Sequence, residues 1–160
     1  MAANKTTSTV TINAAFLQEI KEVNADLWEL LSETQRFCSD THHAAAHCRE
    51  LVSLLATLRD NLAMHFALEE AYGYFDDPVT VQPHLSAKAD TLRDQHAVLY
   101  KRIRDLAESA EQLLYDKQLS ENLPKLLDRL HSFFDQLQNH EMEENELILK
   151  AYDDDIGVGD

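Results

Sequence analysis

Two copies of the spacing H-x-x-x-E stand on stretches that otherwise read as apolar helical stripes. They are His65 with Glu69 in MHFALEE and His140 with Glu144 in NHEMEEN. Side chains four residues apart lie one above the other on the same helix face, so each pair offers an imidazole nitrogen and a carboxylate oxygen to a common point. Each pair occupies positions where Leu or Ile is expected. A buried, unpaired carboxylate is costly enough that a folded chain must neutralise it with a partner, a proton or a metal. A third stripe carries His96, in LRDQH. Imidazole and carboxylate without thiolate suit iron or manganese, with zinc also possible, and disfavour thiolate-seeking metals.

Four helices must position these groups. After a loose Thr- and Ser-rich segment over 1–11, Thr11 or Asn13 caps a first helix with the stripe Leu17, Ile20, Asn24, Leu27, Leu31. CSDT then supplies a turn and a cap, Asp40 or Thr41. The second helix reads Leu51, Leu55, Leu58, Leu62, His65, Glu69, Tyr72 and runs to about Phe75. Pro78 and Pro83 bracket a break. A third helix carries Leu85, Ala89, Leu92, His96, Leu99, Ile103, Leu106 and Leu113. Ser120 caps a fourth, with Pro124 near its first turn, reading Leu123, Leu126, Leu130, Phe133, Leu137, His140, Glu144, Leu147.

The three-and-four spacing of all four stripes is that of bundle packing, and short connections make successive helices antiparallel neighbours. The expected architecture is an all-α, up-down-up-down four-helix bundle over 12–152, followed by an acidic disordered tail over 153–160.

Antiparallel packing lets heights be compared. His65 lies thirteen residues before Pro78, and His96 thirteen after Pro83. His140 lies twelve before Tyr152, and Asn24 twelve after Ile12. At the helical rise per residue, all four fall roughly 18–20 Å from one end of the bundle. Glu69 and Glu144 sit about 6 Å nearer that end. The expectation is one polar layer to which every helix contributes, with the two carboxylates close enough to share ligands on one or two metal ions.

Other polar residues read more plainly. Glu70, Glu141 and Glu143, beside the motifs, are expected in solvent, with Glu70 or Glu143 able to replace a ligand. His42, His43 and His47 lie about 30 Å from the layer, near the opposite end. His131 faces nearly away from His140, and His84 is solvated.

Composition narrows the function. The chain has 160 residues, 44% of them hydrophobic, with 3 Gly and 3 Pro, which favours one helical domain. Its formal charge of -15 argues against a nucleic-acid backbone and against anionic membrane surfaces. No apolar run approaches a membrane span, and the N-terminus has neither signal-peptide nor transit-peptide character. Cytoplasmic location is the expectation. Cys38 and Cys48 lack CxxC spacing and read as reduced thiols.

From about Asn13 to Tyr152 the chain resembles the hemerythrin-like, or HHE cation-binding, domains. The resemblance is carried by H65-F-A-L-E69, by L-R-D-Q-H96 and by H140-E-M-E-E144, in the same order and register. It implies a four-helix bundle holding a non-haem di-iron centre. His96 and His140 would bind one iron and His65 the other, with Glu69 and Glu144 bridging. The chain departs from the pattern on the first helix, where Asn24 stands in place of a histidine, and on the third, where His96 is followed four residues on by Tyr100. The favoured expectation is a di-iron site whose second ion is weakly held, completed by Asn24 or water. A single-metal site of three His and two Glu, or a partly loading centre, are the alternatives.

The function so implied is the binding or sensing of O2, NO or peroxide, or iron holding, rather than bulk O2 transport. Two other classes compete. One is a carboxylate-bridged di-iron oxidase or peroxidase, although those bundles use Glu-x-x-His spacing. The other is a metal-free helical interaction module.

Overall fold

The computed structural model of the chain describes residues 25–71 and 83–158. Among the described residues every regular element is helical and none is a strand. The helices are α1 over 25–38, α2 Thr41–Ala46, α3 Cys48–Ala71, α4 Ser86–Leu113 and α5 Leu119–Val158, with a 3-10 turn at Pro83–Leu85 leading into α4. No described helix is long and apolar enough to cross a membrane. Residues 1–11, Asn24 and Tyr72 lie outside the described residues. The last helix is helical to Val158, past the boundary expected at Tyr152.

The helix ends follow local chemistry. Asp40 is extended (φ -116°, ψ 103°) and its side chain accepts from the His43 amide at 3.1 Å, which caps α2. The second helix is expected to be unbroken, and the structure instead bends it at His47 (φ -128°, ψ 44°). There is no Gly or Pro at that point. The His47 imidazole bonds the His43 carbonyl through Nδ1 at 3.0 Å, and the Cys48 thiol donates to the Ala44 carbonyl at 3.3 Å. These side chains share carbonyls of the last turn of α2 with the His47 amide, which reaches both the His43 and Ala44 carbonyls. The fourth helix also starts differently. Asp116, not Ser120, closes its entry, accepting from the Gln118 amide at 2.8 Å and the Asn122 amide group at 2.6 Å, and Ser120 lies inside the first turn.

α3 packs on α4, α4 on α5, and α2 touches both α3 and α5. The stripes form two apolar clusters. The larger joins Leu27 and Leu31 of α1 with Leu51 to Leu62 and Phe66 of α3, Leu99 to Leu113 of α4, and Leu123 to Leu137 of α5. The smaller contains Leu85, Ala89, Leu92, Leu147 and Ala151. Trp28 is half-buried against the larger cluster. Both cysteines are free, and burial pushes the Cys38 thiol up to about 12. Between the two clusters the buried side chains are polar.

Candidate metal centre

Each stripe changes character at the same level. On α3 the change follows Leu62, on α4 it falls between Leu92 and Leu99, and on α5 between Leu137 and Leu147. The residues that fill the gap are His65, Glu69, His96, His140, Glu141 and Glu144, each at most 4% exposed. The heights inferred for the three histidines therefore coincide, and the five described residues of the expected set meet in one cluster. Asn24, the sixth, lies outside the described residues.

Glu141 corrects the sequence reading, which leaves it in solvent. It is buried, and one of its oxygens lies 3.0 Å from His65 Nε2. A signal was present, because Leu137, Glu141, Glu144 and Ile148 are spaced four, three and four residues apart. The inward face of α5 is thus wider than a single stripe and includes the residue next to His140. Glu70 and Glu143 do lie toward solvent, as expected. Glu143 pairs with Lys88 at 2.9 Å.

The donors converge without saturating one another. His65 Nε2 lies 2.6 Å from Glu69, and His140 Nε2 lies 2.5 Å from Glu144. His96 Nε2 is 3.0 Å from the same Glu144 oxygen. Yet both Glu69 oxygens and His140 Nε2 have no partner in hydrogen-bond geometry. These atoms are close because they face a shared point, not because they bond each other. Two groups have ligand atoms within 4.8 Å of one another, one of His96, His140 and Glu144 and the other of His65, Glu69, Glu141 and Glu144.

A surrounding layer fixes the rings. Glu70 meets His96 Nδ1 at 3.1 Å, and Gln95 meets His140 Nδ1 at 2.7 Å, so each of these imidazoles keeps Nε2 for the interior. Phe66 stacks on His96, with centroids 4.2 Å apart and planes 12° from parallel. Gln95 and Phe66 carry no ligand spacing of their own, and nothing in the sequence singles them out. A surface recess of about 310 Å3 reaches this side of the cluster, lined by Phe66, Glu70, His96 and Tyr100 among others.

The electrostatics is that of crowded buried charge. Burial raises the Glu144 carboxyl to about 7 against the opposing pull of His140 and His96. Burial also raises Glu69, with His65 opposing. For His65, burial disfavours the imidazolium, but the adjoining Glu141 and Glu69 carboxylates override it and hold the ring up at about 10. Three carboxylates crowd this level, and protons or a bound cation can neutralise them. The donor set, the unpartnered Glu69 oxygens and the anchored rings all fit a metal.

The other histidines do not join. His43 and His47 are exposed with rings 4.3 Å apart, and among the described residues no third donor completes a metal-sized group with them. His131 is exposed and edges against Phe134. Compared with family models, with curated proteins and with solved structures, the chain finds no match in any of the three.

Proposed function

We propose that this chain is a hemerythrin-like iron protein, an up-down-up-down four-helix bundle whose buried His/Glu layer holds two iron ions and binds or senses O2, NO or peroxide. The observation that carries the reading is Glu69. Its carboxylate is fully buried, both oxygens lack a partner in hydrogen-bond geometry although His65 Nε2 stands 2.6 Å away, and two further carboxylates lie beside it. A cation is the neutralising group that such an arrangement fits best. Iron in this layer would supply reversible binding or reduction of a small oxidant. Glu144 belongs to both donor groups and is suited to bridge. His96 and His140 are held in place through their outer nitrogens, and the recess beside His96 gives a small molecule a route to the layer.

A metal-free ion-pair network is the second reading. It draws on the His65–Glu141 bond and on the raised His65 pKa. It leaves Glu69 without a donor in hydrogen-bond geometry, which is why we place it second.

The test is metal analysis of protein purified from iron-supplemented cells, together with its near-UV spectrum. One to two irons per chain with charge-transfer absorption of carboxylate-bound ferric ion is the expected result. Well-folded protein that takes up no iron would overturn the reading. Turnover of peroxide or O2 by the loaded protein would reassign it as an oxidase or peroxidase.

A further inference from the structure

The three imidazoles and three carboxylates are not divided evenly. The group of His96, His140 and Glu144 has two nitrogen donors and one carboxylate. The group of His65, Glu69, Glu141 and Glu144 has one nitrogen donor and three carboxylates. Glu144 is common to both. The outer contacts deepen the contrast, since both imidazoles of the first group have their Nδ1 atoms held by Glu70 and Gln95, which raises the donor strength of Nε2. In the second group the unpartnered oxygens of Glu69 face the interior beside Glu141.

We propose that these halves are unequal metal sites and that the centre can assemble as a mixed pair, with Mn(II) in the oxygen-rich half around Glu141 and a later ion, Fe(II) or Zn(II), in the nitrogen-rich half of His96 and His140. This rests on the metal-binding reading above, though not on both ions being iron, and adds which half each of two different ions takes when both are offered. Affinity for most donor sets rises from manganese through iron to zinc, but imidazole favours the later ions while carboxylates suit manganese. Exchanging the two ions between halves therefore places each on its poorer donors. With one equivalent of each ion present, the arrangement that gives the later ion the two imidazoles is the more stable one. Glu141 decides the outcome, because without it the second half keeps only Glu69 and a shared Glu144 as carboxylates.

The experiment loads metal-free full-length protein with one equivalent each of Mn(II) and Zn(II), both redox-quiet under anaerobic conditions. Bound metal is counted after desalting, and Mn(II) is examined by electron paramagnetic resonance. The expected result is one ion of each per chain, with the hyperfine pattern of a single, magnetically uncoupled Mn(II). Glu141→Gln should lower Mn(II) occupancy about tenfold and leave Zn(II) bound, whereas His140→Gln should do the reverse. A coupled dimanganese spectrum in the wild type would overturn the proposal, and so would loss of both ions alike from each variant. The wild-type metal count and spectrum test the mixed pair even if one variant fails to fold, and either variant alone then tests which half holds Mn(II). Wild-type protein that binds neither ion but takes up Fe(II) would overturn this assignment alone, whereas protein that binds none of the three would sink the metal-binding reading with it.

Discussion

Glu69 is fully buried among carboxylates, with His65 Nε2 at 2.6 Å but outside hydrogen-bond geometry, so its charge weighs on the metal-free protein more than on the loaded one. Replacing it with the neutral isostere removes the charge and keeps the shape. Glu69→Gln should therefore raise the melting temperature of metal-free protein while weakening metal uptake, since a buried charge left unpaired costs about 3–5 kcal/mol. Thermal melts of metal-free wild type and variant, paired with a metal titration, check both halves of the statement; a lower metal-free melting temperature for the variant would show that His65 already neutralises Glu69. Glu70 acts one layer further out. It is exposed and touches His96 on the nitrogen that faces away from the cluster. Glu70→Ala should reduce metal affinity by about 10–100-fold with little change in fold stability, as measured by chelator competition. An unchanged affinity would show that Phe66 stacking alone fixes the ring. The residues legible in the sequence were those whose type broke an apolar stripe: His65, Glu69, His96, His140 and Glu144. Glu141 was harder to see, because an acidic residue beside a polar motif also fits a solvated face. Glu70 and Gln95 act through contacts between helices, which no spacing within one helix encodes.

The helices themselves were legible because three-and-four spacing of Leu has one economical solution, burial of that stripe. Leu27, Leu31, Leu51, Leu55, Leu58, Leu62, Leu92, Leu99 and Leu130 all lie in the apolar clusters. Asp40 was readable as a cap from its type and place, whereas the bend at His47 was not. At that bend side chains and the His47 amide share the carbonyls of the preceding turn, and His has no breaker signature comparable to Gly or Pro. The start of α5 differs from the expected one for a related reason. Ser120 and Asp116 both have cap chemistry, and the loop geometry selects Asp116. The Asp40 cap gives a prediction at this scale. Its carboxylate satisfies the His43 amide at the exposed entry of α2, far from the polar layer. Asp40→Ala should cost about 1 kcal/mol in denaturant unfolding and leave metal stoichiometry unchanged. Asp40→Asn should restore most of the loss; no difference between Ala and Asn would show that the cap contributes nothing.

Across the whole molecule the polar layer divides one core from another, so its charge state affects the cohesion of both. In metal-free protein, Glu144, Glu69 and His65 are all shifted upward. A group raised on folding binds its proton more tightly in the folded state. The stability it lends is complete below its unfolded pKa and is lost as pH rises through the folded value. For Glu144 that window runs from its ordinary value of 4.5 to about 7, and for His65 from 6.5 to about 10. Folded metal-free protein thus holds more protons than the unfolded chain at neutral pH, and its stability should fall as pH rises, by about 1.4 kcal/mol per pH unit for each full extra proton. Metal reverses the dependence. A bound cation replaces those protons, so uptake releases them and affinity climbs with pH over the same windows. Melting temperatures at pH 5.5, 7.0 and 8.5 should therefore decline for metal-free protein and hold or rise for loaded protein, with the gap widening toward high pH. Parallel curves would mean that metal and protons do not compete for these groups, and that the layer between the two apolar clusters is held by ion pairs alone.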